Sequence, residues 1–417
     1  MAETFEWFVG VDWGSEVHAV CLIDGRGRIG GTRSVAHTAQ AVDETVRWVC
    51  EQAGVGPAAI ALAIETPRGV LVDTFIERGF PVFAVNPKQL DRFRDRFSPA
   101  GAKDDTADAH VLADALRTDR RAFHQVRPDD PLIIQLREVT RLREDLLEEE
   151  RRLTNRLRDQ LYRVDAPWLR LCPAADEPWL WTMLAEAADP ATWPHLTRRR
   201  IAAVLRAHRI RRLSADDVLH ALGSPRLTTA LGVTDAVATW LTAVMPQLQL
   251  VHQQRHTAEG HLDRLLARLA SVEASAGETA EHRDVEILQS LPGVGRIVAA
   301  TMLSDAPGPL AARDYDTLRA QSGAAPVTKR SGKRAVVQMR YACKAALRQA
   351  LYHWARTSLQ VDAAARAYYQ ALRTRGQTHG RALRSVGDRW LRILIAMLKT
   401  GSLYDATRFT REETSPT

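Results

Sequence analysis

Four carboxylates and one serine carry the chemistry this sequence could do. Asp12 ends a short apolar run, Phe8-Val9-Gly10-Val11-Asp12, and Gly14 follows closely. Glu65 ends a second, nearly continuous apolar run over residues 58–64. Asp105 and Asp108 stand three residues apart in Lys103-Asp104-Asp105-Thr106-Ala107-Asp108-Ala109-His110, a spacing that places both on one helix face. Alone, that pair reads as an acidic first turn favoured by the helix dipole. Beside Asp12 and Glu65 it reads as half of a quartet. Two carboxylates about 4 Å apart repel by roughly 4 kcal/mol at an effective dielectric of about 20, and a quartet contains several such pairs. It therefore calls for bound divalent cation, and all-oxygen ligands suit Mg2+ or Mn2+. Two such ions about 3.5–4 Å apart stabilise the entering and leaving oxygens of a phosphoryl transfer. Ser331 lies in Lys329-Arg330-Ser331-Gly332-Lys333-Arg334. Such a serine suits phosphate contact or nucleophilic attack on a phosphodiester, although the run also reads as a flexible basic loop.

The elements that must position these groups follow from periodicity. Residues 8–12 form a strand, and residues 17–23 and 28–35 a hairpin over Asp24-Gly25-Arg26-Gly27. Thr38 caps a helix to about Gln52, with Val42, Val46 and Val49 on one face. Residues 58–64 are the buried middle of a sheet. A helix over residues 69–78 is closed by Gly79, and residues 81–85 form another buried strand ended by Asn86-Pro87. The Asp105 helix runs to about Arg117. Two fold groups open with a strand ending in such an aspartate. One is the RNase H-like nucleases and recombinases; the other is the sugar-kinase and actin-like ATPases. The ATPases need a second Gly-rich phosphate loop, and no such cluster follows.

The rest of the chain is helical and basic. Val139, Leu142, Leu146, Leu153, Leu157 and Leu161 recur at coiled-coil spacing, as do Leu248, Val251, Ala258, Leu262, Leu265, Leu269 and Val272, with Arg255 in one slot. These two helices could pair antiparallel within one chain or between chains. Between them, residues 165–235 are rich in Trp and Pro and read as a small helical insert, with a basic face at Arg198-Arg199-Arg200 and residues 206–212. Leu291-Pro292-Gly293-Val294-Gly295 resembles a helix-hairpin-helix turn that could hold a phosphate, or is a plain packing turn.

The chain has 417 residues, 45% of them apolar, enough for real cores. A formal charge of +7 and a pI near 9.5 favour an anionic partner, nucleic acid first. Four scattered cysteines suggest neither a zinc site nor a disulfide framework. With no signal peptide and no apolar run approaching a membrane span, a cytoplasmic location is expected. The division expected is residues 1–124, an α/β carboxylate domain; 125–280, a coiled-coil region with the insert; and 281–417, a mainly α domain with the serine.

The motifs together resemble the insertion-sequence one-ten family of DEDD transposases, bridge-RNA-guided recombinases. The likeness covers both ends: Gly10-Val11-Asp12, Ile64-Glu65-Thr66-Pro67-Arg68-Gly69, Val85-Asn86-Pro87 and the Lys103–Ala109 run, then Leu291-Pro292-Gly293-Val294-Gly295, Ser322-Gly323-Ala324-Ala325-Pro326 and Ser331-Gly332. It implies an RNase H-like (RuvC-like) first domain whose metal-holding carboxylates are Asp12, Glu65, Asp105 and Asp108. Asp104, where the family has Thr or Asn, is left out. Ser331 becomes the nucleophile, forming a covalent phosphoserine–DNA intermediate with Mg2+ or Mn2+. The other implied partners are donor and target DNA, a noncoding bridge RNA, and further copies of the chain: a dimer, and a tetramer in the synaptic complex. The setting is the bacterial cytoplasm and nucleoid. Lys103, Lys329, Arg330, Lys333, Arg334, Arg340 and Lys344 are the expected nucleic-acid contacts. Here the family's usual helix start is replaced by Arg340-Tyr341-Ala342, and nothing transfers to residues 165–235. A metal-dependent junction endonuclease working without a covalent intermediate is the competing reading.

Overall fold

A computed structural model describes residues 5–65, 68–97, 104–126, 130–230, 232–276, 280–331 and 334–406. They fall into two units, residues 1–129 and 130–417.

The first unit is built on one mixed sheet. Its strands are β1 (Trp7–Asp12), β2 (Val17–Asp24), β3 (Ile29–Ala36), β4 (Ile60–Ile64), β5 (Val82–Ala84) and β6 (His124–Gln125), in the order β3-β2-β1-β4-β5-β6. β1, β2 and β3 run antiparallel in succession, β4 and β5 lie parallel to β1, and β6 is antiparallel again. Four helices pack on it: α1 (Ala39–Ala53), α2 (Val70–Glu77), α3 (Pro87–Arg94) and α4 (Asp105–Asp119). The period of two in β1 divides the core. Val9 and Val11 face α1 and α2 with Leu62 and Ile64. Phe8 faces α4 with Ala61, Ala63, Leu112 and Leu116. Thr38 caps α1 as expected, accepting from Ala41 N–H.

α3 was not expected. Asn86 does not merely end a strand: its side chain accepts from Lys88 N–H, and Pro87 occupies the first helical position. An Asx cap followed by proline is a helix start, because that proline's missing N–H would have no intrahelical partner anyway.

The second unit is helical. α5 (Pro131–Arg163) and α10 (Val233–Ala276) are its long pair. They run antiparallel: Ile133 and Leu136 pack with Leu262, Leu265 and Leu269, while Leu153, Leu157 and Leu161 pack with Val237, Leu241 and Leu248. The two stripes are thus satisfied within one chain, the first alternative above. Leu142, expected in the seam, is instead 52% exposed.

Arg255 interrupts the apolar stripe because it closes a buried ion network. Its guanidinium bonds Glu150 of α5 (2.9 Å) and Glu259 (2.6 Å), and Glu259 also receives Arg143 (3.3 Å). Burial pushes Glu259 up, but Arg255 and Arg143 outweigh it and hold the carboxyl below its ordinary value.

Between them α6 (Trp168–Leu171), α7 (Pro178–Glu186), α8 (Arg198–Ala207) and α9 (Ala215–Leu222) form the insert. Trp168, Trp179, Trp181 and Trp193 fill its core. Much of its basic face is used internally: Arg198 pairs with Asp216, Arg200 with Glu186 and Arg212 with Glu177.

The remaining elements are α11 (Ala280–Ser290), α12 (Arg296–Asp305), α13 (Pro307–Ala311), α14 (Tyr315–Gln321), β7 (Val327–Ser331), β8 (Arg334–Gln338), α15 (Ala345–Val361), α16 (Ala363–Thr374) and α17 (His379–Thr400). The Pro-Gly turn between α11 and α12 packs against α15. Gly293 has φ +83°, and a Cβ there would lie 2.6 Å from Ser358 N, so glycine is what lets the turn lie on α15. Trp354 Nε1 donates to Pro292 O at 3.0 Å from the same side.

Candidate active site

The register of two parallel strands brings the first two carboxylates together. β1 pairs β4 with Val11 opposite Ile64, so Asp12 and Glu65 leave adjacent strand ends side by side. Burial pushes the Asp12 carboxyl up to about 6, and the neighbouring charges of Asp108, Asp105 and Glu65 push the same way. The four carboxylates named from the sequence therefore lie within electrostatic reach of one another. Arg94 is the cation that opposes them.

Gly10 is what admits the other two. It lies on the α4 face of β1, where a Cβ would sit 1.9 Å from Ala109 O and 2.7 Å from Ala113 N. Only a residue without a side chain lets α4 approach the strand this closely. That approach sets Asp105, exposed, and Asp108, 5% exposed, beside the strand ends. Asp104 has a different task. It is the N-cap of α4, and its side chain accepts from Thr106 N–H.

The turn after Asp12 is tied down from the other side. Gly14 N–H donates to His18 Nδ1 (3.2 Å), and buried His18 meets His37 Nδ1 through Nε2 (2.9 Å). Burial and the neighbouring His37 lower the His18 pKa, so its ring is neutral and Nδ1 is free to accept.

The functional residue the sequence reading missed is Arg94, on the unexpected α3. Its Nε and Nη2 bind both oxygens of Asp108 at 2.5 and 2.7 Å, and its Nη1 binds Asp91 at 2.7 Å. Asn86-Pro87 was the available signal, since a helix begun there carries Arg94 toward the strand ends. Among the described residues, no three His, Cys, Asp or Glu side chains stand close enough to hold one ion as they are. The donor set still fits a divalent cation. It is all oxygen, it raises one of its own members, and it already draws a guanidinium onto its most buried carboxylate.

Ser331 lies in the second unit, in a two-stranded hairpin rather than a loop. β7 and β8 pair from Val327 with Gln338 to Ser331 with Arg334. Ser331 and Arg330 are exposed at its tip. Lys329 lies in β7 and Arg334 opens β8; Gly332, Lys333 and Lys103 lie outside the described residues. Arg340 Nε donates to Ala325 O at 3.3 Å, and Lys344 caps α15 while its ammonium reaches Asp305 O, so both also serve the local fold.

No described helix is long and apolar enough to cross a membrane. A family model of the DEDD IS110 type, described as a transposase, matches residues 9–164. A second, described as the transposase IS116/IS110/IS902 family, matches residues 285–370. A Sinorhizobium fredii protein named as transposase y4uE is 45% identical over 216 residues, 52% of this chain and 60% of its own length. The Streptomyces coelicolor protein named for transposition of the IS117 mini-circle is 28% identical over 410 residues, 96% of each chain. The 43.6 kDa protein of the insertion element IS110 from the same organism is 30% identical over 315 residues, 74% of this chain and 73% of its own. Matches at both ends, and identity sustained across nearly three quarters of both chains, place this chain in the IS110 family of DNA transposases.

Proposed function

We propose that the chain moves an insertion sequence by RNA-guided DNA strand exchange, with Ser331 as nucleophile. The first unit acts as an RNase H-like (RuvC-like) domain, a reading its 3-2-1-4-5 strand order supports. The observation that carries the proposal is the Asp12 carboxyl, raised at the end of β1 among Glu65, Asp105 and Asp108. A divalent cation, Mg2+ or Mn2+, held by these four would neutralise charge developing on a phosphate and favour ionisation of the attacking hydroxyl.

Ser331 Oγ attacks a DNA phosphorus. The Oγ–P bond forms, the P–O bond to one strand end breaks, and the hydroxyl proton ends on the released oxygen. The phosphoserine then passes the strand to a new end. Donor and target are chosen by pairing with a noncoding RNA, so the protein's cations read backbone and shape. The chain acts as a homo-oligomer in the synaptic complex.

The test is a denaturing gel of wild type and Ser331→Ala with Mg2+, labelled donor DNA and RNA transcribed from the element's flanks. A slow, covalent DNA–protein species is expected in wild type alone. Cleavage by both proteins with no adduct overturns the serine step. One observation favours that second reading, a junction endonuclease: among the described residues Ser331 Oγ has no hydrogen-bond partner, whereas the carboxylates assemble without it.

A further inference from the structure

A cleft of about 270 Å³ opens at the base of the β7–β8 hairpin, between β8, the link leading into β7, and the first turns of α17. Arg381, Arg384, Ser385 and Asp388 line it at the spacing of one helix face. Arg319 enters from α14, and Gln338 and Met339 from the hairpin side.

The charges in this cleft are unequally matched. Asp388 is already satisfied, accepting from Arg319 Nε (2.7 Å) and Tyr315 Oη (2.8 Å). Arg384 is partly buried, and among the described residues its guanidinium donates only to the Met339 thioether, at 3.4 Å. Arg381, exposed at the rim, donates to none of the described residues. A guanidinium carries five donors in a planar fork, and a thioether is a weak acceptor. Holding one in a cleft with its donors unmet costs free energy unless an anion arrives. Arg384 differs in this from Arg199 and Arg206 on the insert, which are exposed.

We propose that this cleft is a phosphodiester subsite for nucleic acid, with Arg381 and Arg384 as its ligands. The fork geometry suits two oxygens of one phosphate. The site rests on the nucleic-acid reading above but not on the serine chemistry. Its contacts are to backbone, so it adds affinity without reading sequence.

The test is binding of the full-length chain to a short labelled DNA duplex and to labelled single-stranded RNA, across a series of salt concentrations. Arg381→Gln with Arg384→Gln should weaken at least one probe about tenfold and lower the salt slope by about 1. Lysine at both positions should restore most of the slope. The reference is Arg199→Gln with Arg206→Gln, which removes equal charge from the insert. A loss confined to DNA assigns the phosphate to DNA, a loss confined to RNA assigns it to RNA, and either supports the site. Equal behaviour of the two double variants on both probes overturns it. Should the double variant melt early, Arg381→Gln alone, at an exposed position, is compared with Arg199→Gln alone. Strand exchange by Ser331→Ala would overturn the serine step and leave this result standing.

Discussion

Replacing Gly10 with alanine separates two expectations of opposite sign. By conformational entropy alone, alanine in a strand interior should stabilise by about 0.5–1 kcal/mol over glycine. The structure predicts the reverse. The new Cβ would meet Ala109 O at 1.9 Å and Ala113 N at 2.7 Å. Both are backbone atoms of α4, so no rotamer change relieves the contact. α4 must retreat by roughly 1.5 Å to restore ordinary van der Waals separation of about 3.5 Å. Overpacking of this kind costs about 1–3 kcal/mol, and the upper end applies where backbone meets backbone. The net expectation is a loss of about 2 kcal/mol, with faster hydrogen exchange of β1 and α4 amides. The same retreat displaces Asp105 and Asp108 from Asp12 and Glu65. A displacement near 1 Å typically costs about a hundredfold in rate. Denaturant unfolding followed by hydrogen exchange in the first unit, with calorimetry of Mn2+ binding, checks both consequences. A Gly10→Ala protein as stable as wild type, with undiminished Mn2+ affinity, would refute the reasoning.

Three further outcomes follow. Asp12 has a folded value near 6, above its unfolded value of 3.8, so its contribution to stability is full below the latter and lost as pH rises through the former. Metal-free protein should therefore lose stability between these values, while divalent affinity should fall about tenfold per unit below pH 6 with release of a proton, measurable by calorimetry in two buffers. Arg94→Gln leaves a buried Asp108 charge without its bidentate partner and should lower metal-free stability by about 3 kcal/mol; added Mn2+ should then raise its melting temperature more than it raises that of wild type. Arg255→Leu removes the guanidinium from Glu150 and one of the three that reach Glu259, which keeps Arg143 and Arg296, and should cost about 2 kcal/mol, read by thermal unfolding of the second unit; Glu259 is held low, so its stabilisation is present above its unfolded value and lost as acid is added.

The strands that end in Asp12 and Glu65 were legible because an apolar run closing on a carboxylate is a local signal. So was the face shared by Asp105 and Asp108, which follows from helical spacing. What positions them was not legible. Gly10 stands in the motif, but its reason is a contact with Ala109 that only the folded chain makes. Arg94 escaped because Asn86-Pro87 was read as the end of one element when it begins another. The hairpin bearing Ser331 escaped for a different reason. Val327-Thr328-Lys329-Arg330-Ser331 alternates only weakly, and its cations mask the period of two.

The excess of positive charge illustrates why composition points to a partner without locating it. Many of the arginines behind that excess are consumed within the fold. Arg200, Arg212, Arg255 and Arg319 each neutralise a carboxylate, and Arg313 does so for nearly buried Asp284 at 2.5 Å. A run such as Arg198-Arg199-Arg200 therefore overstates the free charge of its surface. Arg381 and Arg384 belong to a basic patch that the sequence shows over residues 373–384, and the described structure gives neither a carboxylate. Free cations must be found by subtraction, after the internal pairs are known. The two that remain in the cleft lie at the base of the hairpin that carries Ser331, so the proposed phosphate subsite adjoins the proposed nucleophile.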